Sequence, residues 1–187
     1  MSNNWTDLIE LLLRAGMEFS AGLKDAEVER AEATYGFQFP ADLRDFVQTA
    51  APMYYDWHSE NDARIREMMA WPLEGMLFDI ENNVFWLSEW GPRPESLEDA
   101  KAIARDLVAQ APRLIPIYAH RMMPDCPNEA GNPVFSVHQT DVIYYGFDLD
   151  DYFRHEFNLP GRKPWPAEVR PIEFWDIERF QDIRWRE

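Results

Sequence analysis

The chain has 187 residues, of which 46% are hydrophobic and 14% aromatic, and its formal net charge at pH 7 is −16. This length suits one domain with its own hydrophobic core, and the aromatic content argues against a disordered chain. The negative charge argues against partners that are nucleic acids or anionic membranes, because Lys and Arg side chains drive binding to both.

The same charge favours a basic protein as the partner. An anionic surface attracts a cationic one and speeds the encounter between them. The alternative explanation is that the acidic composition only keeps the protein soluble.

The compartment is predicted from cysteine use and from apolar runs. A single cysteine, Cys126, excludes an internal disulfide. The start, MSNNWTDLIELLLRAGMEF, lacks the basic leader of a signal peptide, and no apolar run approaches the ~20 residues that a membrane span needs. These features predict a cytoplasmic, reducing environment.

Helical patterns occupy the first third of the chain. Apolar residues between Leu8 and Ala15 recur at the spacing of one helix face. The segments KDAEVERAEATYG, FPADLRDFVQTAAP and SENDARIREMMAW predict three more helices, with Ser59 and Asp62 at capping-box spacing in the last.

The middle of the chain changes period. GMLFDIENNVFWLSEW predicts two short strands about a polar ENN turn. The segment GPRPESLEDAKAIARDLVAQAP begins with a rigid Pro-containing loop, after which Ser96 is expected to cap a helix. RLIPIY predicts a strand, in which Pro116 marks a sheet edge or a bulge.

The last third begins with AHRMMPDCPNEAGN, whose turn-forming residues predict a loop. PVFSVH and DVIYYG predict strands, and the QT link between them lacks Gly, Asn or Asp, so we expect a loose connection rather than a tight primed turn. Asp148 is expected to cap a helix, and PIEFWDIERFQDIRW predicts a short helix that packs Trp175, Phe180 and Trp185.

The order of these elements predicts the fold class. Helices come first, strands follow with helices between them, and no Gly-rich phosphate loop follows a strand. This order favours an α+β fold in a single domain over residues 1–187, with a twisted, mostly antiparallel sheet and helices packed around it.

Catalytic chemistry has little support. A cysteine–histidine nucleophile pair would use Cys126 as the nucleophile and His120 or His138 as the base. Asn132 or Asp141 would then orient the base. Their spacing matches no known motif, and a Cys in a Pro-flanked loop is usually a loop residue. With 34 acids in the chain, composition cannot nominate a carboxylate pair for glycoside chemistry. We therefore predict no catalytic residues.

Metal binding has equally little support. A metal site could use the side chains of His120, Asp125, Cys126 and His138. The sequence, however, contains no HExxH motif, no CxxC motif and no pair of His residues at helical spacing. The DLDD run is interpreted as a helix start, where the helix dipole favours negative charge in the first turn. We predict no metal and no cofactor.

Five side chains are predicted to meet a partner protein: Trp90, Asp125, Glu129, Asp141 and Tyr144. Trp90 stands beside the rigid GPRP loop and is expected to be an exposed aromatic anchor. Tyr144 and Tyr145 alternate along a strand, so we expect one to pack inside while the other meets solvent or a partner.

Three segments together resemble the SUKH superfamily, which is named for yeast cell-wall synthesis regulators and has many bacterial members: FQFPADLRDFV, FDIENNVFWLSEWGPRP and GNPVFSVHQTDVIYYGFDLDDYF. The resemblance runs from about Val28 to Phe157, with an added N-terminal helix and C-terminal tail. It implies an α+β domain without catalytic apparatus. Many bacterial members are thought to be immunity proteins that neutralise toxins, often nucleases, whereas eukaryotic members look like binding scaffolds.

These observations predict a non-catalytic protein-binding domain of the immunity type, whose partner is a basic toxin domain. A general interaction or regulatory scaffold in cell-envelope or stress signalling is the alternative. A hydrolase that uses the loop between Ala119 and Asn132 is a third possibility.

Overall fold

The computed structural model describes residues 5–176, in which six α-helices and six β-strands form one α+β domain. The helices are α1 Trp5–Arg14, α2 Asp25–Tyr35, α3 Ala41–Thr49, α4 Ala63–Asn82, α5 Leu97–Gln110 and α6 Leu149–Glu156. The strands are β1 Phe19–Ala21, β2 Ala50–Pro52, β3 Leu114–Tyr118, β4 Arg121–Pro124, β5 Val134–His138 and β6 Asp141–Gly146. The predicted fold class is confirmed. None of these helices combines the length and the apolar character needed to cross a membrane.

The strands pair in an antiparallel manner in both sheets of the described range. β1 and β2 form a two-stranded ribbon, and the larger sheet has the order β3–β4–β5–β6. β3 is therefore an edge strand, and a register shift follows Pro116 within it. Both features agree with what the proline predicted, because it cannot donate a ladder hydrogen bond.

The larger sheet has a hydrophobic core on each face. Successive strand residues point to opposite faces, so Met123 joins the core beneath α1, α2, α3 and α6, whereas Met122 joins the core beneath α4 and α5. The first core is rich in aromatic rings; those of Phe46 and Phe153, for example, lie 4.7 Å apart and connect α3 to α6. The sheet thus lies between two groups of helices.

Helix α4 continues where the sequence predicted two strands, so that prediction is wrong. Its buried residues Pro72, Met76, Asp79 and Ile80 recur at helical spacing. Pro72 removes one backbone hydrogen bond, but burial of this face against the sheet outweighs the loss. The remainder of the predicted strand pair contains a bend and a 3-10 helix at Ser88–Trp90.

Short acidic or hydroxyl side chains cap three of the described helices, α4, α5 and α6. The carboxylate of Asp62, rather than Ser59, caps α4 by accepting from the Arg64 N–H at 2.8 Å. Ser96 caps α5 and Asp148 caps α6, as the sequence predicted. Each cap satisfies a backbone donor that the first helical turn leaves without a partner.

The β5–β6 turn is tight, which contradicts the expectation of a loose connection. His138 pairs directly with Asp141, so only two residues form the turn. Gln139 has a φ of 56°, in the left-handed region that Gly or Asn usually occupies. Its backbone lies so close to α4 that a Cβ on Gly75 would be 2.6 Å from the Gln139 Cα. A contact with α4 therefore stabilises a turn that its own two residues do not favour.

Three other parts of the fold differ from the sequence prediction. β4 lies within the predicted loop AHRMMPDCPNEAGN, where four strand residues are flanked by turn formers. The β1–β2 ribbon has strands of only three residues each. Residues 171–176 are not helical, although Trp175 is buried as expected. Phe180 and Trp185 lie outside the described residues.

Replacement of Gly75 by Ala tests the close approach of α4 to the hairpin. Ala normally stabilises a helix interior by up to about 1 kcal/mol relative to Gly. Because the added methyl group would meet Gln139 backbone atoms, we expect the free energy of unfolding to fall by about 1–3 kcal/mol instead. Urea denaturation measures the change, and Glu67→Ala on the exposed face of α4 is the control. A stabilised Gly75→Ala variant would show that this contact is absent.

Candidate interaction site

An open groove of about 500 Å³ lies where the end of α4 meets the tip of the β5–β6 hairpin. We call it the hairpin-tip groove. Two segments line it: residues at and after the end of α4, and the hairpin turn with its flanking residues. These lining residues are Asp79, Asn83, Phe85, His138, Gln139, Thr140 and Asp141.

The carboxylate of Asp79 connects the two segments. Oδ2 accepts hydrogen bonds from the backbone N–H of Thr140 at 3.0 Å and from the Thr140 hydroxyl at 2.6 Å. Oδ1 accepts from the side-chain amide of Asn83 at 2.6 Å. Asp79 is only 4% exposed, so these donors replace the water that burial removed. The groove therefore has a fixed wall rather than a mobile loop edge.

Two large apolar side chains are exposed beside the groove. Phe78 is 49% exposed, and it follows Trp71 by seven residues and Gly75 by three, so it lies on the edge of α4 that borders the hairpin. Val84 is 70% exposed and has a φ of 56°, which is a strained value for a β-branched residue. Backbone strain of this kind costs about 1–3 kcal/mol and tends to occur at functional sites.

Trp90 packs behind the groove and keeps only part of its ring exposed. Its ring is 5.7 Å from that of Phe85, which lines the groove, and it is stacked on Phe174 at 6.3 Å. The ring is half-buried, because the 3-10 helix directs it into this aromatic cluster. The expectation of an exposed anchor is therefore wrong, whereas a role for Trp90 in partner binding stays a prediction.

Two of the predicted partner residues, Asp141 and Tyr144, belong to strand β6. Asp141 lines the groove. Tyr144 packs toward α4, with its ring 5.2 Å from Phe135, and Tyr145 packs toward α6, with its ring 4.4 Å from that of His155. The two tyrosines face opposite sides of the sheet as expected, but both are half-buried.

Asp125 and Glu129 lie at the opposite end of the sheet from Asp141, in the loop after β4. Asp125 accepts a hydrogen bond from the Arg113 backbone N–H at 2.9 Å, and burial raises the pKa of its carboxyl. Glu129 is exposed and lies 3.6 Å from the Arg170 guanidinium. The five predicted partner residues therefore do not form one surface.

Cys126 is separated from both candidate bases. Cys126 lies beyond the end of β4, at one end of the sheet. His120 lies before the start of β4 and His138 ends β5, so both histidines are at the other end of the sheet. Burial raises the pKa of the Cys126 thiol, and the nearby Asp125 carboxylate, which accepts its S–H, raises it further. A nucleophilic cysteine needs the opposite shift, toward a lower pKa.

Asn132, the other candidate for orienting a base, has a structural role in the same loop. It is fully buried, and its side-chain amide donates to the carbonyls of Pro124 at 3.1 Å and Pro127 at 2.8 Å. Its Oδ1 accepts from Arg170 at 2.6 Å. Both polar atoms of its side chain therefore hold the loop to its neighbours.

The carboxylates of the DLDD run support the helix, as the sequence indicated. Asp148 accepts from the Asp151 N–H at 2.7 Å, and the side chains of Asp150 and Asp151 form ion pairs with Arg154 and Arg162. Between residues 5 and 176, no three His, Cys, Asp or Glu side chains gather as metal ligands do.

The groove residues at the end of α4 do not emerge from the sequence. Because GMLFDIENNVFWLSEW is interpreted as two strands, the helical periodicity of α4 is not recognised. Only that periodicity predicts that Phe78 is exposed and Asp79 is buried. The usable signal is the spacing of Pro72, Met76 and Asp79, which is typical of one helix face.

Compared with known protein families, curated proteins and solved structures, the chain matches none of them. The resemblance to the SUKH superfamily therefore stays a prediction.

The reactivity of Cys126 tests its local chemistry. Because its pKa is raised, less thiolate is present near pH 8, and we expect iodoacetamide to alkylate it more slowly than a model cysteine peptide. Asp125→Asn removes the neighbouring negative charge and should accelerate the reaction, whereas Glu129→Gln serves as a matched control. A rate above that of the peptide would indicate an activated thiol and would favour the enzyme hypothesis.

Proposed function

We propose that the protein is a non-catalytic binding domain that captures a basic protein, and that it acts as an immunity protein against a cationic toxin. The observation that carries the proposal is an excess of negative charge at the protein surface. The resemblance to the SUKH superfamily supports the immunity role.

The surface location of the excess follows from charge counting and burial. The chain has 34 acids and 18 Lys and Arg residues, so sixteen carboxylates remain unmatched even if every base pairs with one acid. Within residues 5–176, the buried acids are Asp42, Asp79 and Asp151. The uncompensated carboxylates are therefore mostly in contact with water.

An acidic surface suits the capture of a nucleic-acid-cleaving toxin. Such a toxin needs Lys and Arg side chains to hold phosphates. An anionic inhibitor is attracted over a distance by the same side chains, and once bound it occupies the place of the phosphates. The single cysteine agrees with action in the reducing cytoplasm.

Stopped-flow mixing with purified products of the adjacent reading frames tests this function. We expect one-to-one association with a basic product, at a rate that falls by about tenfold or more between roughly 50 and 500 mM salt, because ions screen long-range attraction. The dissociation rate, which reflects short-range contacts, should change much less.

Co-expression separates the immunity role from a general scaffold role. We expect the protein to relieve growth inhibition by the basic product that it binds. Tight binding without relief would favour a scaffold. Failure to bind any adjacent product, or association whose rate does not depend on salt, would contradict the proposal.

A further inference from the structure

A half-buried histidine, His58, connects three segments of the fold: α2, the β1–β2 ribbon and the loop between β2 and α4. We infer that protonation of His58 switches the hydrogen bond that the Ser20 hydroxyl donates, so that the ribbon is held more firmly in acid than in base. The switch goes beyond the proposed function and does not depend on it.

Both ring nitrogens of His58 lie within hydrogen-bond distance of another segment. Nδ1 is 3.0 Å from Oε1 of Glu27 on α2. Nε2 is 3.0 Å from the carbonyl oxygen of Ala21 and 3.1 Å from Oγ of Ser20, and both of these residues belong to β1. Glu27 and Ser20 are half-buried, like His58, so water competes only partly for these contacts.

The Glu27 carboxylate determines where one of the ring protons lies. Its Oε2 accepts a hydrogen bond from the Lys24 N–H at 2.8 Å, and this bond, followed by the contact with His58, lowers the pKa of the Glu27 carboxyl. The carboxylate is therefore ionised throughout the pH range in which histidines titrate. An unprotonated Nδ1 would place its lone pair against this charge, so Nδ1 keeps its proton in both charge states of the ring.

The state of Nε2 then decides the partner of Ser20. The Ser20 hydroxyl has one proton but two acceptors within reach, Nε2 at 3.1 Å and the carbonyl of Ala51 at 3.2 Å. When Nε2 is protonated, it donates to the Ala21 carbonyl, and Ser20 donates to Ala51. When Nε2 is not protonated, it accepts the Ser20 proton, and both carbonyls lose these donors.

The bond that is lost on deprotonation joins the two strands of the ribbon. Ala51 lies opposite Ser20 in the antiparallel pair, so the hydroxyl bond crosses directly from β1 to β2. The strands have three residues each, and Pro52 has no N–H with which to donate a ladder bond. A side-chain bond is therefore a substantial part of the cross-strand connection.

Charged groups of both signs face His58. Glu27 and Arg30 come from α2, where Arg30 donates to the His58 carbonyl at 2.8 Å, and Lys24 at the start of this helix lies near Glu27. The loop contributes Asp56, which accepts from the His58 N–H at 3.1 Å. β1 and β2 contain no charged residue. Two cations thus oppose two carboxylates, and the hydrogen bonds of the ring determine the switch.

The same order of groups occurs in Ser–His–acid nucleophile sites, in which the acid fixes the histidine tautomer. Here Nε2 and the Ser20 hydroxyl each face a backbone carbonyl as well. These carbonyls belong to two paired strands, so the positions of the protons determine how the strands are held together.

NMR spectroscopy of the full ¹³C- and ¹⁵N-labelled chain, titrated between roughly pH 5 and pH 8, tests the switch. We expect the ring nitrogen signals to show that neutral His58 carries its proton on Nδ1. The carbonyl ¹³C signals of Ala21 and Ala51 should shift with the same midpoint as the ring, because each carbonyl loses a donor when Nε2 is deprotonated.

Two variants separate the switch from a general effect of pH. In Ser20→Ala, the Ala51 carbonyl signal should no longer follow the His58 ring, whereas that of Ala21 still should. His155→Gln is the matched control, because it removes another ring whose Nδ1 lies 2.9 Å from a backbone carbonyl, that of Tyr145. Both carbonyl responses should persist in this control.

Either of two results would overturn the inference, and both are measured on the unsubstituted chain, so that folding of the variants does not affect them. One is a neutral His58 ring with its proton on Nε2. The other is an Ala51 carbonyl signal that does not change as the ring titrates. Neither result would bear on the capture of a basic partner.

Discussion

The hydrogen bonds from Thr140 to the buried carboxylate of Asp79 connect the two parts of the molecule that form the groove. One part is a helix that packs on one face of the sheet, and the other is the turn between the last two strands. The carboxylate is buried, so its donors stabilise it in place of water. They also hold the turn in the conformation in which Gln139 has a positive φ. The position of the hairpin tip therefore depends on α4 rather than on the turn sequence.

The two-sided sheet explains how an acidic chain can still fold. Hydrophobic side chains fill a core on each face, and the few buried carboxylates are satisfied by backbone and side-chain donors, as Asp42 is by the Gly131 N–H at 2.8 Å. The remaining negative charge is carried by surface groups. Self-repulsion at the surface lowers stability, and it also provides the long-range attraction on which capture of a basic partner depends.

Local signals in the sequence predict much of the fold. α5 and α6 follow from their caps at Ser96 and Asp148, and β5 and β6 follow from their apolar alternation. The errors arise where distant contacts decide the outcome. The predicted helix in SENDARIREMMAW ends at Trp71, yet packing of α4 on the sheet carries the helix past Pro72 to Asn82. The QT turn is tight because Gly75 and Asp79 hold it, and neither residue is near it in the chain. For the same reason, only Asp141 of the predicted partner residues lines the groove.

A double-mutant cycle between Asp79 and Thr140 tests the central claim most directly. The free energy of unfolding would be measured for the wild type, Asp79→Ala, Thr140→Val and the double variant. If the carboxylate holds the turn, the two substitutions are coupled by roughly 1–3 kcal/mol. Additive effects, with a coupling close to zero, would show that the turn keeps its shape without Asp79 and would contradict this account of the groove.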